Sequence, residues 1–197
     1  MNSIPDPTPE DKQHFIALAL AQKVGPVLFK AIVAYAGSAH AFFSFTQQQV
    51  AKIPRIGRRL LEIRQQRESL LSQAAALLAN QTKDGYKLLT ALDEEYPKRL
   101  NANSDAPVLL FIKGTADLNA SRTVGIVGTR SATPYGRAIT KKICEDLLPY
   151  QPSIVSGLAY GIDIEAHRSA MNLGLPTIAV LGSPIHLIYP AVHQGTA

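Results

Sequence analysis

Three short stretches gather small residues directly behind runs of Val, Ile and Leu. They are Gly125-Ile126-Val127-Gly128-Thr129-Arg130-Ser131, Ser156-Gly157-Leu158-Ala159-Tyr160-Gly161-Ile162-Asp163 and Leu181-Gly182-Ser183-Pro184. The first two run on into helical patterns. In an open parallel sheet, ligands sit beyond the C-terminal ends of the strands. Small residues there let a ligand reach the backbone. The N-terminus of a following helix offers free N–H groups and a partial positive charge, a setting that suits phosphate. Arg130 adds a fixed charge that can hold phosphate through two bonds. The same glycines would equally serve as tight strand-to-helix turns, so the residue types alone leave both readings open.

Other chemistries are poorly matched. After the first strand there is no G-x-G-x-x-G, and Ser156-Gly157 stands where a dinucleotide fold would offer an acid to the ribose. A G-x-x-x-x-G-K-[ST] loop is absent too, which argues against a Walker-type ATPase. Asp163 is expected to cap its helix, with His167 four residues on and able to pair with it. No nucleophile stands beside that couple. His186 and His193 lack the spacing and companions of a metal site. Cys144 falls in a helical pattern as a small apolar residue. Tyr135, Tyr160 and Tyr189 lie near the strand ends, where an aromatic ring can stack on a nucleobase for about 1–3 kcal/mol. No metal site is expected from these residues.

The elements that must position these turns can be read from the apolar spacing. From about residue 85, short apolar runs alternate with helical patterns. Candidate strands are Leu88–Leu92, Val108–Ile112, Val124–Val127, Ile154–Val155 and Ile178–Leu181, with helices near Tyr135–Leu148 and Ile162–Leu173. Continuous Val/Ile/Leu runs separated by helices argue for a parallel sheet covered on both faces. Residues 11–82 read instead as helical. Pro26 is placed to open a helix, Gly37 to close it, and Ser38 and Thr46 to cap two shorter ones, with one longer helix after Ile53–Gly57. The polar, proline-rich residues 1–10 are expected to be extended or disordered. They have neither the basic start nor the apolar stretch of a signal peptide.

Charge separates the two parts. The net charge is +5, yet residues 84–197 carry ten Lys/Arg and ten Asp/Glu, while residues 1–83 carry ten Lys/Arg and only five Asp/Glu. Within the excess, Lys52, Arg55, Arg58, Arg59, Arg64 and Arg67 face only Glu62. Such a cluster is a plausible footprint for a polyanion, or equally a solvated helix face. One cysteine without a partner suits a reducing cytoplasm. No apolar run approaches the ~18 residues that span a bilayer.

The segments VGIVGTRSATPYG (124–136), IVSGLAYGIDIEAHRSA (154–170) and TIAVLGSPIHLIYPAVH (177–193) together resemble the DprA/Smf DNA-processing family. Tyr96-Pro97-Lys98-Arg99-Leu100 and PVLLFIKG (107–114) match its pattern in the same order. The Ser-Gly-x-Ala-x-Gly-Ile-Asp-x-x-Ala-His run is the most specific of these signatures. The resemblance implies a Rossmann-like, doubly wound, mostly parallel sheet over residues 83–197. It also implies a small all-helical domain of the helix–hairpin–helix or SAM-like kind before it, with turns at Val24-Gly25-Pro26 and Ile56-Gly57-Arg58.

The family's sheet continues past the Tyr-Pro-x-x-His element and often leads into a winged-helix domain, so this chain is expected to hold an incomplete, truncated sheet. Carried over by position, Gly128, Thr129 and Arg130, with Ser131 beside them, match the first phosphate-contacting turn. Ser156, Gly157 and Gly161 match the second. Tyr135 and Tyr160 become candidates for base stacking, and Lys52, Arg55, Arg58 and Arg59 for non-specific DNA contact. The implied function is single-stranded DNA binding that protects incoming DNA and helps load the RecA recombinase in natural transformation, as a cytoplasmic homodimer; the resemblance implies no enzyme activity and no cofactor. The alternative is a nucleotide-binding enzyme or sensor of the related phosphoribohydrolase group. That group carries a Gly-Gly-Gly run where this chain has Ser156-Gly157-Leu158.

Overall fold

Thr8 opens the first helix, α1 (Pro9–Leu20). Its hydroxyl accepts from the Asp11 N–H at 3.1 Å, and the Asp11 carboxylate accepts from the Thr8 N–H at 3.1 Å. With Pro9 at the first helical position, this is a reciprocal capping box. The computed structural model describes residues 8–51, 53, 57–81 and 85–197. The helix therefore begins inside the stretch 1–10 expected to be extended, because Thr8 and Asp11 supply both halves of the cap. Residues 1–7 lie outside the described residues.

The next helices start and stop where the sequence places them. α2 (Pro26–Ala36) opens on Pro26 and ends at Gly37, whose φ of 87° suits glycine. α3 (Ala39–Ser44) is capped by Ser38, which accepts from the Ala41 N–H at 2.9 Å. Thr46 caps α4 (Gln47–Ala51) by accepting from the Gln49 N–H at 3.3 Å. The single long helix expected after Gly57 is instead two, α5 (Gly57–Gln65) and α6 (Arg67–Asn80). They part at Gln66, whose φ of −85° and ψ of 7° leave helical geometry. The buried positions explain the break. Leu60 and Ile63 serve α5, Leu70 and Ala74 serve α6, and the turn lets both pairs face one core.

β1 (Lys87–Thr90) and β2 (Leu109–Ile112) pair antiparallel, with Leu88 opposite Phe111 and Thr90 opposite Leu109. Between them lies α7 (Lys98–Asn101). Leu88 and Val108 join the same core as Phe15, Phe29, Phe42 and Leu60. The chain accordingly divides into two compact units that meet at Lys113 and Gly114, whereas the sequence suggested 82/83. Among the described residues the two strands pair only with each other, and they contribute to the helical core, so their contacts go with the first unit.

In the second unit, β3 (Thr123–Gly125), β4 (Ser153–Ser156) and β5 (Thr177–Ala179) form a parallel sheet in the order β3-β4-β5. α8 (Pro134–Leu147) connects the first two and α9 (Ile162–Asn172) the last two. Thr133 caps α8, accepting from the Gly136 N–H at 3.1 Å, and Gly174, at φ 70°, follows the end of α9. α8 and α9 pack on each other. Cys144 is buried there, its Sγ 4.0 Å from the Ala166 carbonyl oxygen. Burial, and then the Glu165 and Glu145 carboxylates, push its thiol pKa up, so it behaves as an apolar residue. Ile154, Ala166, Ala170 and Leu175 form this unit's small core.

The architecture is thus mixed α/β with a parallel sheet. The second helical layer of a doubly wound sheet is not among the described residues, since the strand order advances in one direction. No described helix is long and apolar enough to cross a membrane.

Candidate functional site

The turns after β3 and β4 interlock. Gly161 has φ 82°, and a Cβ there would lie 2.0 Å from the Thr129 carbonyl oxygen and 2.7 Å from the Arg130 carbonyl carbon. Only glycine fits. Directly after it, the Ile162 N–H donates to the Thr129 oxygen at 3.1 Å. In the other direction, a Cβ on Gly128 would meet the Ile162 side chain at 2.7 Å. Asp163 sits between the turns. Its Oδ1 accepts from the Gly128 N–H at 3.3 Å, and its Oδ2 would be 2.8 Å from a Cβ on Gly157.

Asp163 is therefore not the helix cap expected of it. Gly161 holds that place, and Asp163 is the second residue of α9, 7% exposed. There its charge faces the positive end of the helix while its carboxylate ties one turn to the other. Nor does His167 hydrogen-bond Asp163. Its Nδ1 lies 2.7 Å from Thr177 Oγ1, and the Thr177 hydroxyl donates to the Ile154 carbonyl oxygen at 3.0 Å. A hydroxyl has one proton to give, so the imidazole is the donor to Thr177. Burial holds His167 below the ordinary histidine range, opposed by the Asp163 carboxylate and the Ser156 backbone.

A further clasp was not foreseen. His193 is buried and its Nδ1–H donates to the Leu158 carbonyl oxygen at 2.7 Å. Leu158 is a buried non-glycine residue at φ 59°, a conformation that costs about 1 kcal/mol or more and persists only where surroundings hold it. The Tyr160 ring meets His193 edge-on at 5.1 Å. The signal available in the sequence is the segment Tyr189-Pro190-Ala191-Val192-His193, which matches the family's Tyr-Pro-x-x-His element but has no metal companions to announce a role for its histidine.

The outward surface of this assembly is the first turn. Gly128, Thr129, Arg130 and Ser131 are all exposed. The Ser131 N–H donates to Thr129 Oγ1 at 3.2 Å. Among the described residues, the amides of Thr129 and Arg130 donate to no protein group, and no ion pair engages Arg130. Tyr135 is 75% exposed and Tyr160 47%.

The second turn lies deeper. Ser156 is buried, with its hydroxyl donating to the Ile126 carbonyl oxygen at 2.6 Å, and Gly161 is buried beneath Thr129 and Arg130. The open helix N-termini expected from the sequence are largely closed. Ile162 and Ile164 of α9 donate to loop carbonyls of Thr129 and Ala159, and Thr133 caps α8. Of the basic residues singled out, Lys52 and Arg55 lie outside the described residues, as do the side chains of Arg58 and Arg59. Arg64 and Arg67 are half-buried.

Residues 87–197, more than half of the chain, match the family model for DNA recombination-mediator protein A. The chain belongs to the DNA recombination-mediator protein A family. It is 32% identical over 184 residues to Protein Smf of Synechocystis sp., a match covering 91% of this chain and 46% of that protein. It is also 42% identical over 103 residues to the DNA processing protein DprA of Streptococcus pneumoniae, covering 52% of this chain and 36% of that one. The X-ray structure of the Streptococcus pneumoniae DprA superposes with a TM-score of 0.55 at 28% identity, over 88% of this chain and 63% of that chain. This member of the family thus spans about half or less of the length of these curated relatives.

Proposed function

We propose that the turn 128–131 holds the backbone of single-stranded DNA. The observation that carries this reading is the exposed Thr129–Arg130 turn, with amides unengaged by described residues, braced from beneath by Gly161 and Ile162. Donors already fixed in place lose little entropy on meeting a phosphate, and Arg130 contributes charge. Gly128, Thr129, Arg130 and Ser131 make the contacts in this reading. Ser156, Gly157 and Gly161 shape the platform under them, and Tyr135 and Tyr160 offer rings to bases. Lys52, Arg55, Arg58 and Arg59 add a non-specific, salt-sensitive attraction. The role is binding without turnover: protection of incoming DNA and loading of RecA during natural transformation, by a cytoplasmic homodimer. Its support is the description of the family as recombination mediators.

Fluorescence anisotropy with a labelled oligothymidine strand, set against matched duplex at several salt concentrations, tests the reading. The single strand should bind preferentially. Arg130→Ala should weaken binding and lower the salt slope by about 0.7, the value of one phosphate contact on a single strand. A folded Arg130→Ala protein with unchanged affinity and slope would remove the turn from the interface. RecA filament growth on single-stranded DNA, with and without the chain, tests the loading role.

A further inference from the structure

Glu10 and His14 lie one turn apart on α1, and His40 lies on α3. One donor atom from each of the three side chains comes within 4.8 Å of the others, with Glu10 Oε1 3.8 Å from His40 Nε2. We propose that Glu10, His14 and His40 bind a divalent transition-metal ion of the zinc type, which pins α3 to α1 within the helical unit. Two imidazoles and one carboxylate are a donor set that suits zinc and its neighbours, with water completing four-coordination.

His14 carries the argument. It is 3% exposed, and its Nδ1 lies 2.9 Å from the Glu10 carbonyl oxygen. A carbonyl oxygen can only accept, so Nδ1 holds the proton and Nε2 is a bare lone pair. That Nε2 is buried with no hydrogen-bond partner. Leaving a buried acceptor unpaired costs about 1–3 kcal/mol, and a metal ion would satisfy it. A ligating histidine ordinarily gives its other ring N–H to a carbonyl or carboxylate, which fixes tautomer and orientation. His14 already has that arrangement.

The surroundings fit the same use. Phe43 lies against His14 at a ring separation of 6.0 Å and supplies an apolar wall. His40 stacks on His14 at 4.4 Å with the rings 28° apart, so its ring turns out of the stack for both lone pairs to converge on one ion. The Asp11 carboxylate, held by Thr8, lies within electrostatic reach of both imidazoles and adds negative charge. Donors around a tetrahedral zinc ion stand about 3.4 Å apart, so the set must close slightly. Glu10 and His40 have side chains 66% and 43% exposed and can swing inward while His14 stays fixed.

The test uses the tag-free full chain, stripped with chelator and titrated with Zn²⁺ by calorimetry and with Co²⁺ by visible absorption. One ion per chain should bind, Co²⁺ should show the intense bands of a tetrahedral site, and Zn²⁺ should raise the unfolding temperature. Glu10→Gln and His40→Ala, both at accessible positions, should each weaken binding about tenfold or more while circular dichroism shows the helices intact. His186→Ala, a histidine outside the cluster, should bind as the parent does. Absence of saturable binding, or binding that neither cluster variant changes, overturns the proposal.

Discussion

Gly161 is where two demands on one residue meet. Its φ of 82° is strained for any L side chain, and its Cα faces the Thr129 oxygen with no room for a methyl group. Gly161→Ala should destabilise the fold by about 2–5 kcal/mol, the sum of a positive-φ backbone and an overpacked contact. It should also lower DNA affinity, because the Thr129–Arg130 turn must move to admit the methyl. Thermal unfolding and anisotropy on one preparation check this. Full stability in the variant would mean that the two turns are not braced against each other. At this scale the sequence was only partly legible. It marked the glycines and Arg130, because small residues behind an apolar run are a local pattern. It did not reveal that Asp163 accepts from Gly128, or that His193 clasps Leu158, since those bonds join residues 35 positions apart.

Elements were more legible than their junctions. Caps at Ser38 and Thr46, Pro26 at a helix start and Gly37 at its end are local choices, and they sit where expected. The break at Gln66 and the antiparallel pairing of β1 with β2 are set by which core the apolar faces reach, and period alone does not say that. The junction of α9 with β5 has a pH signature. Burial depresses His167 below its ordinary value of 6.5, so the unfolded chain takes up the proton first as pH falls. Its contribution to stability is fully present above about pH 6.5 and is lost as pH falls from there toward the depressed folded value. His167→Asn keeps a nitrogen donor for Thr177 and removes the titration. Denaturant unfolding from pH 8 to pH 5 should therefore give a flatter stability profile for the variant. Parallel profiles would mean that His167 is not protonated differently in the two states.

The second unit, taken by itself, has more apolar surface than its small core uses. Tyr135, Ile139 and Ile143 recur every fourth residue on α8 and are 75%, 40% and 42% exposed. Spacing of i, i+4, i+8 puts them on one helix face, and exposed apolar side chains gathered on one face are a candidate association surface. β3 and β5 lie at the two edges of the three-stranded sheet, so their outer sides are a second place where a copy of the chain could pair. The proposed homodimer has an economical explanation in the α8 face. A two-fold contact is self-complementary, and two such stripes laid against each other would bury Ile139 and Ile143 twice over. Light scattering across a concentration series should show a dimer. Ile139→Glu with Ile143→Glu should shift it to monomer, because burying four uncompensated carboxylates at such an interface costs far more than the lost apolar contact. Both positions are exposed in the single chain, so its unfolding temperature measured at low concentration should hardly change. If the doubly substituted chain remains dimeric, α8 is not the interface and the sheet edges become the place to look.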